Sequence, residues 1–304
     1  MLKSLLPAPF AFKLLVALLL PGLSLRADPP VLDGVDVYRG SEGVQTDATT
    51  ITYGTSPLFW GIEVVGTALP SVSVTLPGLT NNSTINPTQH NGGALGYNVA
   101  DGRWMYGYPS FNNISFAGAV DRNARFPRGN YTISVPGLTD VVLNYQNSAV
   151  GVFAPLFTLS GGSWSGGSYY IDVNTPLLVQ SNTFDAFSAN VDGGMQFVVY
   201  DNAFNVLSGS SNPNFYSDNP SAPNYFNYTL PAGTLTAGQN YQLEGSFAAI
   251  VDKNATNGGL NMAYLLATTS LTLVAVPEPS TYAGLAGLAM LGFAFWRRRR
   301  GPAA

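Results

Sequence analysis

Apolar and polar residues alternate along most of the chain. Ser71-Val72-Ser73-Val74-Thr75-Leu76 alternates at every step, and Tyr131-Thr132-Ile133-Ser134-Val135 places Tyr131, Ile133 and Val135 on one side. A period of two sets successive side chains on opposite faces of an extended strand. Comparable runs predict strands at 50–53, 58–65, 139–145, 169–173, 196–200, 226–230 and 241–250, and the apolar stretch 262–267 reads as strand rather than helix turn. Nothing between residues 28 and 276 sustains the 3.6-residue period of an amphipathic helix. Turn signals punctuate the runs: Pro77-Gly78, Asn91-Gly92-Gly93, Asp101-Gly102, Arg128-Gly129-Asn130, Pro136-Gly137, Asp192-Gly193-Gly194 and Ala232-Gly233. Short strands with turns every ~8–12 residues predict an all-β sandwich or barrel.

A faint repeat suggests how the strands are grouped. Gly129-Asn130-Tyr131-Thr132-Ile133 is similar to Gly238-Gln239-Asn240-Tyr241-Gln242-Leu243, and Thr55-Ser56-Pro57-Leu58 to Asn174-Thr175-Pro176-Leu177. Offsets of about 110–120 residues are close to the length of one β-sandwich. The expected body is two tandem immunoglobulin-like β-sandwiches, 28–148 and 149–276, with one large jelly-roll-like sandwich as the alternative. The Gly/Ser-rich run 160–168 is either a linker or a hairpin loop.

Both chain ends break the pattern. Residues 1–27 have the form of a secretory signal peptide: Lys3, then Lys13, the apolar run 14–20, the helix breakers Pro21 and Gly22, and a cleavage point after Ala27. At the other end Pro277, Glu278 and Pro279 precede an apolar segment, 282–296, that ends in Trp296 and is followed by Arg297, Arg298, Arg299 and Arg300. As a helix this segment spans about 24 Å, slightly short of a ~30 Å hydrocarbon core. The positive-inside rule puts the arginines in the cytoplasm and the body outside.

Triplet, short apolar helix and arginine cluster, in that order at the chain end, resemble the PEP-CTERM sorting signal, here residues 277–304. The resemblance implies export through the secretion translocon, an inner-membrane-anchored precursor and processing near Pro277–Pro279 by an exosortase-type membrane protease. It also implies a mature form at the cell surface or outside the cell, associated with exopolysaccharide or biofilm. It says nothing about residues 28–276.

Composition narrows the chemistry of that body. Apolar residues are 46% of the chain, enough for a sizeable core, while charged residues are only 10%, against ~25% in typical soluble domains. Cysteine is absent and His90 is the single histidine, which removes thiolate zinc sites, cysteine nucleophiles and multi-histidine relays. Seven of the 13 basic residues lie in the two terminal segments, and 16 of the 17 acidic ones lie in the body. The body therefore carries about −10 and repels nucleic acid.

Candidate sites within the body are sparse. His90 sits in a polar stretch, 86–93, without a G-x-S-x-G nucleophile elbow to serve. Glu42, Glu63 and Glu244 are its only glutamates, and paired carboxylates would be needed for glycoside hydrolysis. Asp33-Gly34-Val35-Asp36, Asp172-Val173-Asn174 and Asp252-Lys253-Asn254 offer fragments of a calcium loop but no complete one. Arg122, Arg125 and Arg128 form either a solvated loop or a contact for anionic polysaccharide. Segment 212–228 concentrates amides and aromatics, and Tyr216, Tyr225 and Tyr228 are its candidate glycan-binding residues; the alternative is that these rings cover the end of the core. Neither a catalytic set nor a metal or cofactor site is expected. The sequence predicts a non-catalytic structural or glycan-associated protein, with a secreted polysaccharide-active enzyme, a glycoside hydrolase or lyase, as the alternative.

Overall fold

The computed structural model describes residues 28–78, 84–90, 103–107, 116–145, 152–203, 205–207, 214–277, 286–293 and 295–296. The body is all-β. The expected signal helix at 1–27 lies outside the described residues.

Strand β1 (Val31–Gln45) turns back into β2 (Ile51–Thr67), which fuses the two expected runs 50–53 and 58–65. Then follow β3 (Ser73–Thr75), β4 (Thr84–Ile85), β5 (Thr88–His90) and β6 (Arg103–Gly107), the helix α1 (Ala119–Arg125), β7 (Gly129–Ser134) and β8 (Val141–Tyr145). The second half contains β9 (Phe157–Ser160), β10 (Gly162–Ser165), β11 (Ser168–Asp172), β12 (Leu177–Ser181), β13 (Gly193–Tyr200), β14 (Asn214–Phe215) and β15 (Asn227–Leu230). Two long strands, β16 (Asn240–Asn254) and β17 (Leu260–Val276), close the body.

These strands make one large sheet and two small ones. The large sheet has ten strands in the order β14-β13-β16-β17-β1-β2-β6-β5, with the β10–β11 pair attached to β17. Along one edge β17 pairs antiparallel with β16. Along the other it pairs in parallel first with β1, from Gly34↔Leu260 to Val44↔Ser270, and then with β11, from Tyr169↔Leu273 to Asp172↔Val276. The small sheets are β4-β3-β7-β8 and β15-β12-β9.

Alternation along β17 explains where the two small sheets dock. Its odd-numbered residues share one face. Ala263 belongs to a first core with Val35, Val37, Trp60 and Ile62 of the large sheet and Val74, Tyr131, Ile133 and Leu143 of the first small sheet. Leu271, Leu273 and Ala275 belong to a second core with Phe197, Leu243, Phe247, Phe157, Val179 and Leu230. Leu265 packs against both. The division expected near residue 148 falls between the two small sheets, but the large sheet continues across it.

Several expectations need correction. β1 was not among the strands expected from alternation. Its glycines are demanded by close strand approach: a Cβ on Gly40 would stand 1.9 Å from the Leu266 carbonyl oxygen and 2.6 Å from Cζ of Phe59. α1 escaped the pattern because none of its residues is buried, so it shows no apolar stripe. His90 ends a short strand rather than sitting in a loop. Run 160–168 is the β10–β11 hairpin, turned by Gly166 and Gly167 at φ 55° and 83°, the left-handed pair that a two-residue turn requires. The second half of the repeat does not hold. Thr55–Leu58 lies inside β2, whereas Asn174–Leu177 leads into β12. At the C-terminus, residues 286–293 and 295–296 are helical, within the expected 282–296, but no helix among the described residues is long and apolar enough to cross a membrane.

Replacing Gly40 tests the close contact between β1 and β17. Gly40→Ala is expected to destabilise the fold by about 2–3 kcal/mol, read from the midpoint of chemical denaturation. An unchanged midpoint would mean that the strands part at no cost.

Candidate functional site

The folded body ends where the C-terminal triplet begins. The backbone N–H of Ala275 donates to Gln239 O at 3.0 Å, the Ala275 carbonyl accepts from Gly238 at 2.7 Å, and the Val276 carbonyl accepts from Val173 at 3.2 Å. Pro277 follows at once, half-buried and outside the strand, because it has no N–H to extend the ladder. Glu278, Pro279 and Arg297 to Arg300 lie outside the described residues. The helix beyond exposes its large apolar side chains: Leu288, Met290, Leu291, Phe293 and Phe295 are each more than half exposed. Such exposed side chains offer apolar surface to lipid or a partner.

Strand direction fixes where the two ends emerge. Because β1 and β17 are parallel and Gly34 lies opposite Leu260, the start of β1 and the end of β17 sit at opposite ends of the sheet. The separation is on the order of 50 Å at ~3.3 Å per residue.

The candidate glycan residues do not form an open platform. Tyr216 stands edge-on to Phe187 at 5.3 Å, and Tyr228 lies 5.2 Å from Phe197. Both pack against the second core. Tyr225 is the more exposed ring, beside the buried Phe226. The segment is also tied down through Asp192, which accepts from the Ser217 N–H at 3.0 Å and pairs with Lys253. A shallow cleft of about 260 Å³ lies elsewhere on this lobe, lined by Phe153, Asn182, Asp185 and Phe184 among others. Sequence reading gave no signal for it, because exposure of Phe153 depends on how the chain enters β9.

The even-numbered face of β17 and its neighbours is unusually polar. Asp36 on β1 sits directly opposite Glu63 on β2, and Arg103 on β6 pairs with Glu63. Next to them Tyr38 and Tyr264 stack at 5.5 Å. Burial, reinforced by the Glu63 charge and opposed by Arg103, pushes Asp36 up to about 7. Glu63 is also raised by burial, with Arg103 pulling the other way. Farther along the same face, burial and the Glu42 charge push Glu244 up to about 7. Glu63 and Glu244 cannot act as a hydrolytic pair. Glu63 aligns through Asp36 with Met262, while Glu244 aligns with Ser270. Eight residues along β17 put them on the order of 25 Å apart, far beyond the roughly 5–9.5 Å that such chemistry uses. Asp36 and Glu63 are the carboxylates brought together, and their strand positions gave no hint of it because β1 was not foreseen.

Two of the three calcium fragments are engaged in hydrogen bonds of the fold. Asp172 accepts from Asn174 N–H at 2.9 Å, Asp252 accepts from Asn144 N–H at 2.6 Å, and Asn254 accepts from Asn261 at 2.9 Å. Among the described residues no three metal-ligating side chains converge.

Comparison with known proteins locates one assignable element. Residues 275–300 match the family model described as PEP-CTERM protein-sorting motif. No curated protein matches the chain. Among solved structures, the chain is similar to the FN1–FN3 domains of chicken CNTN1, at 10% identity over 80% of this chain and 66% of that one, with a TM-score of 0.25. It is also similar to a DUF3823 family protein from Bacteroides uniformis, at 12% identity over 79% of this chain and 99% of that one, with a TM-score of 0.21. Neither superposition is close enough to assign an architecture or an activity. The C-terminal segment, by contrast, is a PEP-CTERM sorting motif, the mark of an exported protein processed by an exosortase.

The acid face makes stability depend on pH. Asp36 and Glu244 titrate near 7 in the folded chain and near ~4 when unfolded. Between those values the folded state holds protons that the unfolded state has lost. Their stabilising effect is full below about 4 and disappears as pH rises to about 7. The melting temperature is expected to rise from pH 8 to pH 5, and Asp36→Asn to reduce that rise. A flat or falling profile over this window would contradict the burial of these acids.

Proposed function

We propose that the protein is an exported envelope protein whose body is delivered, held briefly at the membrane and then released by processing. Residues 1–27 direct it to the secretion translocon and are removed. The segment 282–296 spans the inner membrane, with Arg297 to Arg300 in the cytoplasm. An exosortase-type membrane protease cuts near Pro277–Pro279. The mature body reaches the cell surface or the extracellular matrix, where it acts as a non-catalytic structural or glycan-associated component of exopolysaccharide or biofilm.

One observation carries this reading: the sorting-motif match starts at residue 275 and the last strand of the body ends at Val276. Cutting near the triplet would therefore remove an apolar tail while leaving every described β-pairing intact. Opposite placement of the two chain ends supports removal of the signal segment. Only three residues separate Ala27 from β1, so a chain anchored at both ends would have to lie flat on the membrane.

A second reading, a secreted polysaccharide-active enzyme, draws on the adjacent carboxyls of Asp36 and Glu63. Incubating the purified protein with the host's extracellular polysaccharide separates the two readings. Retention without new reducing ends fits a matrix role, and release of oligosaccharides fits an enzyme.

Processing is tested by intact mass on protein from the native envelope. The expected species runs from about Asp28 to a point near Pro277–Pro279. Recovery of a tryptic peptide from Pro279 through Tyr282 to Arg297 in the mature surface fraction would show that the tail is only an anchor.

A further inference from the structure

We infer that the first lobe contains an oxyanion-binding site, built from Arg39, Arg122 and Arg128 and suited to a carboxylate or sulfate group. It goes beyond the delivery role, because it concerns the body alone and stands wherever the chain is finally placed.

The site begins with a buried cation. Arg39 lies at the centre of β1, on the core face, and is 1% exposed. Its guanidinium donates to Asn123 Oδ1 at 2.9 Å and to the Phe126 carbonyl at 2.8 Å, and it lies 4.6 Å from the centre of the Tyr145 ring. Each of these partners is uncharged. Its Nε, also buried, has no acceptor.

A second arginine is brought against it rather than a carboxylate. Arg122, on α1, donates to the Gly40 carbonyl at 2.9 Å, and its buried Nε is likewise without an acceptor. Burial, and after it the like charges of Arg39 and Arg128, push Arg122 down to about 10, with Tyr145 opposing. Trp60, opposite Arg39 in the sheet register, adds a third buried donor, Nε1, and the neutral Tyr131 hydroxyl is the group that Trp60 and Arg39 share. The acidic residue of α1, Asp121, accepts from the Ala117 backbone instead.

The rest of the body shows how unusual this is. Arg103 and Lys253 each pair with a carboxylate, whereas among the described residues no carboxylate pairs with Arg39, Arg122 or Arg128. Buried charge is tolerated when an opposite charge and hydrogen bonds compensate it. Here two guanidinium groups are held beside each other with only neutral partners, Asn123, the Phe126 and Gly40 carbonyls and the Tyr131 hydroxyl, in a body that is otherwise strongly acidic. An anion entering beside the exposed Arg128 would meet the fork geometry by which guanidinium groups bind two oxygens at once. The body's overall negative charge would oppose long polyanions such as nucleic acid, so the site favours a single anionic group. That group could be a free ion or be carried on a sugar.

The experiment uses the full chain purified in detergent, with sodium sulfate, sodium galacturonate, a galacturonate hexamer and maltohexaose as probes. Ionic strength is matched with chloride throughout. Melting temperature and calorimetric binding are both read. At least one of the anionic probes is expected to raise the melting temperature by several degrees, and maltohexaose to have no effect. Arg122→Gln and the exposed-site variant Arg128→Gln are each expected to weaken that binding about tenfold or more while leaving the β-type circular dichroism spectrum intact. Response to the free ions assigns a small-ion site, and response to the hexamer alone assigns a sugar-borne group. The proposal is overturned if no anion acts beyond the chloride control, or if a folded Arg128→Gln chain binds as well as the parent.

Discussion

The fold depends on the placement of its last strand. β17 does not close an edge; it occupies the middle of the large sheet, with β16 on one side and β1 then β11 on the other. Its buried side chains run from one core to the other, with Leu265 touching both. Few strand arrangements demand more of sequence order. β1 is made first and must wait for residues more than 200 positions later before its free edge is paired. Such non-local pairing is costly in chain entropy and slow to form.

That placement bears on how the chain is delivered. A sorting motif contiguous with a central strand means that the body cannot be complete until the residues just before the tail have been exported. Tail removal before folding would leave Val276 unprotected, whereas removal afterwards would take away only what lies beyond the ladder. The exposed side chains of Leu288, Met290, Leu291, Phe293 and Phe295 fit a segment that meets lipid or a partner.

What the sequence revealed follows from how local each signal is. Regular alternation made β7, β8, β11 and β16 readable, since a half-buried strand writes its two faces directly into the chain. The C-terminal motif was readable for the same reason, as a contiguous code. β1 was hidden because its glycines answer to Leu266 and Phe59, residues far away in sequence. α1 was hidden because it buries nothing. Tyr216, Tyr225 and Tyr228 could be read either as a platform or as a cover for the core, because composition cannot distinguish a ring on the surface, such as Tyr225, from one leaning on Phe187 or Phe197. The arginine cluster was half visible: Arg122, Arg125 and Arg128 are neighbours in the chain, but Arg39, whose contact at Asn123 is 84 positions away, could only be added by the fold.

The central claim is that the folded body extends through the last residues of β17 and stops there. It is tested most directly by comparing two truncated chains in thermal unfolding. A chain ending at Pro277 should melt cooperatively, as the parent does. One ending at Thr272, without the residues that pair with β11 and reach into the second core, should lose that transition or melt far lower. Equal melting of the two chains, or failure of the longer one to fold, would contradict the account.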